Sequence, residues 1–258
     1  MTERVVVSSL DVACEALVRR IAAMRHPSDR PIPDSAIPDS ANSKSAFKVR
    51  KSPEGRPGGG AVRVQAADVP RRLLVAIAGP PAGGKSTLAA ALVEAFDDAV
   101  LVPMDGFHLD DALLRPAGLL ARKGSPETFD VDGFVALLDR IRDDDGRAVH
   151  VPVFDRAREL ARAGAATVAP THRTVVVEGN YLLLDEPPWR ALATRFDLTI
   201  MLGVEEAVLR ERLVRRWLEN GFGEEEALAR AERNDLPNGR RSSNGSIAAD
   251  LELTTAGH

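Results

Sequence analysis

The chain has 258 residues, 44% hydrophobic and 28% charged, which suits one large globular domain with a sizeable core and excludes wholesale disorder. A formal net charge of −4 and a pI near 5.8 argue against a broadly basic surface for nucleic acid. The single cysteine, Cys14, excludes an internal disulfide and a cysteine-built zinc site, and no apolar run approaches the roughly 20 residues of a membrane helix. Acids and arginines interrupt the apolar part of the first 20 residues, which therefore do not read as a signal peptide, and a cytoplasmic protein is expected.

Residues 8–25 carry Val12, Ala13, Ala16, Leu17, Ile21 and Met24 at helical spacing, so segment 1–25 is expected to form an N-terminal helix. Residues 26–70 are rich in Pro, Ser, Gly and charge and repeat one pentapeptide, from Ile32 to Ala36 and again from Ile37 to Ala41. They have no periodic apolar face and read as a disordered insertion or linker. From Arg71 onward strands and helices alternate. Strands are expected over 73–78, 99–104, 174–177 and 198–202, with a short extended piece over 149–154. Helices are expected over 86–96, 132–142, 205–220 and 224–233; a last strand over 249–253 is left open. This alternation predicts an α/β domain over 71–258, with a parallel sheet covered by helices on both faces.

Gly79-Pro80-Pro81-Ala82-Gly83-Gly84-Lys85-Ser86 fits G-x-x-x-x-G-K-[ST] and lies between an expected strand and an expected helix, the context a phosphate loop requires. Small residues let backbone N–H groups turn inward around phosphates, and the helix N-terminus adds partial positive charge. Gly79, Pro80, Ala82, Gly83, Gly84, Lys85, Ser86 and Thr87 form the expected ATP cradle. Lys85 would reach the outer phosphates and the Ser86 hydroxyl would ligate Mg²⁺. Ala82 stands where many such loops have Gly, and an ordinary backbone conformation is expected for it.

Asp105 and Glu178 each follow an expected strand, and ligands of open parallel sheets gather at the carboxyl ends of strands. A carboxylate there accepts a hydroxyl proton or holds the waters of Mg²⁺. Arg210, Arg212, Arg215 and Arg216 cluster on one expected helix, where planar guanidinium forks would stabilise a phosphoryl group in transfer. Gly221 and Gly223 would let the next helix move, so 205–236 reads as a lid. His108 either meets substrate through a ring nitrogen or packs. Only five of the 34 basic residues are lysines, and past Arg71 only Lys85 and Lys123 remain. In a chain drifting toward Arg, Lys123 is expected to contact the acceptor or the phosphate in transfer.

Met104-Asp-Gly-Phe-His108, the run from Arg122 to Asp130, Pro152-Val-Phe-Asp-Arg156 and Val177-Glu-Gly-Asn-Tyr181 follow the phosphate loop in that order. The set resembles the phosphoribulokinase/uridine kinase group of P-loop kinases, over roughly residues 71–238. The resemblance implies a P-loop NTPase fold with a helical lid, and ATP and Mg²⁺ as cofactors. It implies Asp105 as the base on the acceptor hydroxyl, Glu178 as the acid supporting Mg²⁺, Arg212 and Arg216 as lid arginines, and Asn238 on the adenine side. Asp155, Arg156 and Tyr181 fall on its acceptor side. Trp217 departs from the pattern, standing where close relatives often carry His, and the run after Asn238 is looser than usual. The expected reaction is Mg·ATP-dependent phosphorylation of a hydroxyl on a small metabolite, a sugar or nucleoside. A pantothenate-type kinase and a non-catalytic ATP-binding or switch module are the alternatives. No nucleic-acid or membrane partner is expected; a homodimer stays open.

Overall fold

Two apolar layers, one on each side of a parallel sheet, account for most of this chain's architecture. The computed structural model describes residues 3–7, 10–25 and 71–255, so the expected insertion over 26–70 lies outside the described residues. Among the described residues eight strands form: β1 (Glu3–Val7), β2 (Leu73–Ala78), β3 (Ala99–Pro103), β4 (Val149–Asp155), β5 (Leu160–Val168), β6 (Thr174–Gly179), β7 (Leu198–Gly203) and β8 (Leu251–Thr255). Six of them make one sheet in the order β1-β8-β7-β2-β6-β3, every neighbour parallel. β4 and β5 form a separate antiparallel hairpin. The helices are α1 (Leu10–Arg25), α2 (Lys85–Glu94), α3 (Asp111–Leu114), α4 (Val131–Asp143), α5 (Glu206–Glu219), α6 (Glu224–Arg230) and α7 (Leu236–Asn244).

The period of two along a strand divides the core. Leu74, Ala76 and Ala78 of β2 join Val102, Val175 and Val177 in a layer under Phe134, Leu138 and Ile141 of α4. Val75 and Ile77 point the other way and meet Val176, Ile200 and Leu202, covered by Leu88 and Leu92 of α2 and by Ala13, Leu17 and Ile21 of α1. Burial on both faces explains why these strands read as unbroken apolar runs.

Among the elements not foreseen, three bear on the sheets and the lid. β1 precedes the expected helix and pairs with β8, Val5 opposite Leu253, so the described part of segment 1–25 completes the main sheet. β5 is rich in Ala and Gly, with little strand propensity of its own, and exists through its register with β4, Val149 opposite Val168. The last lid helix breaks at a π-turn over Ala231–Asp235 and continues as α7, with Pro237 in its first turn. The last strand, left open by the sequence, does form as β8. No helix among the described residues is long and apolar enough to cross a membrane.

Candidate active site

The phosphate loop leaves β2 at its carboxyl end, between β6 and β7. Gly84 caps α2 in the left-handed region, φ 94°, where a side chain would be strained. Ala82 is also left-handed, φ 59°, contrary to the ordinary conformation expected for it. That conformation costs an L-residue about 1–2 kcal/mol. Its methyl packs against the lid core of Leu209, Leu213, Ala231 and Leu236, and this contact offsets part of the strain. Lys85 opens α2 with its side chain folded back along the loop; it is 7% exposed and its ammonium donates to the Pro80 carbonyl at 2.8 Å. Burial pushes this lysine below its ordinary range, with Glu178 and Asp105 opposing. Ser86 and Thr87 follow on the exposed side of the helix start.

Two acids face the loop. Glu178 sits in β6, in register with Ile77 and Pro103 of the flanking strands, and is 8% exposed. The Ser86 hydroxyl donates to its Oε2 at 3.4 Å. Burial pushes the Glu178 carboxyl above the usual range; Lys85 opposes this and Asp105 adds to it. Asp105 lies in the 3₁₀ turn Met104–Phe107 that ends β3, half-buried, and accepts from Arg156 Nη2 at 3.0 Å. The neighbouring Gly106 has no room for a side chain, since a Cβ there would overlap the Pro152 carbonyl of β4. That close approach lets the hairpin bring Arg156 onto Asp105.

On the side where the resemblance implies the acceptor, His108 turns its Nδ1 to the Asp105 carbonyl at 2.8 Å and lies between Phe129 and Phe154, ring centroids 4.2 and 4.6 Å away. Burial pushes it below the ordinary histidine range, with Asp105 opposing. A neutral ring donating from Nδ1 leaves Nε2 as an acceptor. Asp155 accepts from the Arg158 backbone at 3.2 Å and pairs with Arg162 at 3.3 Å, so its carboxylate closes the hairpin turn. Tyr181, expected at the acceptor, is fully buried against Phe129 and Trp189, and its hydroxyl donates to the Gly124 carbonyl at 2.7 Å. It supports the loop from behind. Lys123 is likewise engaged, its ammonium 2.7 Å from Asp111 Oδ1 and 2.6 Å from the Glu159 carbonyl.

The lid folds over the loop from the other side. Arg212 and Arg216 are half-buried one turn apart on α5, and the Arg216 charge reaches Lys85. Arg210 pairs at the surface with Glu232 at 2.6 Å, as a solvated arginine does. Asn238 is buried in α7 and donates to Asn234 at 3.3 Å. A Cβ on the adjacent Gly239 would lie 3.3 Å from Pro80, so α7 sits directly on the phosphate loop. Trp217 donates to Asp235 Oδ2 at 2.6 Å, and burial pushes that carboxyl upward. The roles of Asp235, Asn234 and Asp111 were missed. No sequence signal marks them, because each works through a partner distant in the chain or folded against it.

No family model matches the chain. Its fold superposes on a Silicibacter protein, provisionally described as a fructose transport system kinase, with TM-score 0.68 and 48% identity over 73% of this chain and 92% of that one. An uncharacterized Escherichia coli protein, YggC, is 36% identical over 202 residues, 75% of this chain and 83% of its own. A Schizosaccharomyces pombe protein, provisionally named a uridine kinase, is 37% identical over 180 residues, 65% of this chain and 77% of its own. The chain belongs to the phosphoribulokinase/uridine kinase group of P-loop kinases.

As a P-loop kinase of this group it is an ATP-dependent phosphotransferase with an alcohol group as acceptor, acting on a small molecule. The sheet puts its phosphate loop, Asp105 and Glu178 at one end, as open parallel sheets do. Among the described residues no three His, Cys, Asp or Glu side chains gather as a self-sufficient metal site. Ser86 and Glu178, two adjacent hard oxygen donors, fit Mg²⁺ of the kind that takes its remaining ligands from phosphates and water.

Proposed function

We propose that this kinase transfers the γ-phosphoryl group of ATP to a hydroxyl of a small metabolite, a sugar or nucleoside. The observation that carries the reading is Asp105 and Glu178 at the ends of β3 and β6, flanking Lys85 and Ser86. The acceptor oxygen attacks the γ-phosphorus, its proton passes to Asp105, and the bond to the β,γ-bridging oxygen breaks to release ADP. Lys85 and the backbone of residues 79–87 hold the outer phosphates. Ser86, and Glu178 through water, would hold Mg²⁺, which when bound neutralises phosphate charge. Closure of the lid over about 205–236 brings Arg212 and Arg216 to the oxygens in transfer, and Asn238 faces the adenine side. His108 Nε2 and Arg156 meet the acceptor. Asp155 keeps the hairpin in shape beside them.

The alternative reactions separate in one assay. ADP release is measured with and without D-fructose, uridine and pantothenate, each product identified by mass. Acceptor-dependent release, abolished by Lys85→Ala and by Glu178→Gln without loss of folding, is the expected result. Pantothenate belongs in the panel because a Rhodopseudomonas palustris pantothenate kinase is 31% identical over 157 residues, 49% of its own length. Slow release indifferent to every acceptor would instead mark a switch-type NTPase. Near-normal turnover in either variant would remove that residue from the chemistry.

A further inference from the structure

Lys123 stands at a junction of four segments. Its ammonium bonds Asp111 of α3 and the backbone carbonyl of Glu159, which closes the turn between β4 and β5. It also lies 5.4 Å from the centre of the Phe154 ring, whose other neighbour is His108. Its own carbonyl accepts from Asn234 of the lid at 3.1 Å. The side chain is only 14% exposed and has committed two of its three donors within the protein. The turn it holds is strained: Glu159 adopts φ 53°, a left-handed conformation that such turns normally give to Gly. Arg156, in the same turn, is the residue that bonds Asp105.

We propose that Lys123 is a positioning residue that pins the β4–β5 turn to α3 and thereby sets Arg156 against Asp105 and the acceptor. A guanidinium is a poor replacement. The ammonium meets the Asp111 carboxylate on one element and, on another, the Glu159 carbonyl with the Glu159 carboxylate 3.9 Å away, a spread of acceptors that suits a compact rotatable charge better than a planar fork. This accounts for a lysine in a stretch whose only other lysine past Arg71 is Lys85, and it replaces the direct contact with substrate expected from the sequence. The effect on the acceptor rests on the proposed kinase reaction; the clamp itself does not.

Limited trypsinolysis tests the clamp without any acceptor. Cleavage of a transiently opened segment follows the population of its open form, and a charge-assisted hydrogen bond is worth roughly a factor of ten or more. Lys123→Met and Asp111→Ala should each speed cleavage after Arg156 and Arg158 about tenfold relative to cleavage after Arg215 in α5, and the double variant should be no faster than the singles. Both should raise KM for the best acceptor of the panel, with KM for ATP unchanged within about twofold. Unaltered turn cleavage in both single variants overturns the proposal. So does a KM that rises in Lys123→Met alone, because the ammonium would then touch the acceptor itself. If Lys123→Met fails to fold, Asp111→Ala decides by the same criteria. If no acceptor turns over, the proposed reaction fails while the cleavage result still decides the clamp.

Discussion

Asp105 shows how the role proposed for one side chain rests on what stands around it. Its carboxylate is half-buried, hydrogen-bonded to Arg156, and placed beside the buried Lys85 and Glu178. Asp105→Asn keeps the shape and removes the basicity. Turnover at saturating substrate should fall by about 10²–10⁴-fold with ATP affinity near normal, the usual worth of a general base. A value within about threefold of wild type would take Asp105 out of that role. Ala82 makes the opposite case, a residue whose backbone is worse than a substitute's. At φ 59° glycine is relaxed, so Ala82→Gly should raise stability by about 1 kcal/mol less the lost lid contact. Denaturant midpoints measure this directly, and a less stable variant would mean that the methyl contact outweighs the strain.

At the scale of elements, α7 is tied to the loop around Glu127 by ion pairs. Arg241 of α7 pairs with Glu127 and bonds Glu186 at 3.0 Å. Burial pushes the Glu127 carboxyl up, but hydrogen bonds from Arg241 and the backbone outweigh it and hold it at about 2. A carboxyl that titrates lower folded than unfolded stabilises the fold above its unfolded pKa of about 4.3, and this is lost as pH falls toward 2. Both partners are partly exposed, so the effect should stay below about 1 kcal/mol. Glu127→Gln should therefore be slightly less stable than wild type at pH 7, and the gap in urea midpoints should close near pH 2. A gap independent of pH would assign the difference to packing. Trp217→Phe removes the indole donor to the buried Asp235. An orphaned buried acceptor costs about 1–3 kcal/mol, so amide exchange in α6 and α7 should quicken roughly 5- to 150-fold while the central strands stay protected. Equal exchange in both proteins would show that the hydrogen bond adds nothing to lid order.

Across the whole molecule, α1 is part of the core. α1 buries Ala13, Leu17 and Ile21 on the sheet face that also receives α2, and β1 extends the sheet beyond β8. Arg25 clasps Asp98 at the start of β3. Leu17→Ala should cost about 2–5 kcal/mol by transfer and cavity terms, a marked fall in melting temperature for a helix that a detachable appendage would not show. A loss below about 0.5 kcal/mol would mean that α1 packs only loosely.

Much of this protein was decided locally and could be read in the chain. The phosphate loop is a contiguous motif whose glycines, lysine and serine are each demanded by the chemistry of phosphate. β2, β3, β6 and β7 are apolar because both sheet faces are covered, and the acids Asp105 and Glu178 stand at the carboxyl ends of β3 and β6, where open parallel sheets gather ligands. What composition and period do not encode is pairing between distant segments. β1 and β5 are strands only because β8 and β4 lie beside them. Ala82 is left-handed within a loop that also packs against the lid. Tyr181 and Lys123 look like substrate ligands in a motif, yet the tertiary structure occupies them with Gly124, Asp111 and Glu159. A polar side chain's role depends on which partner reaches it first, and only the folded chain determines that.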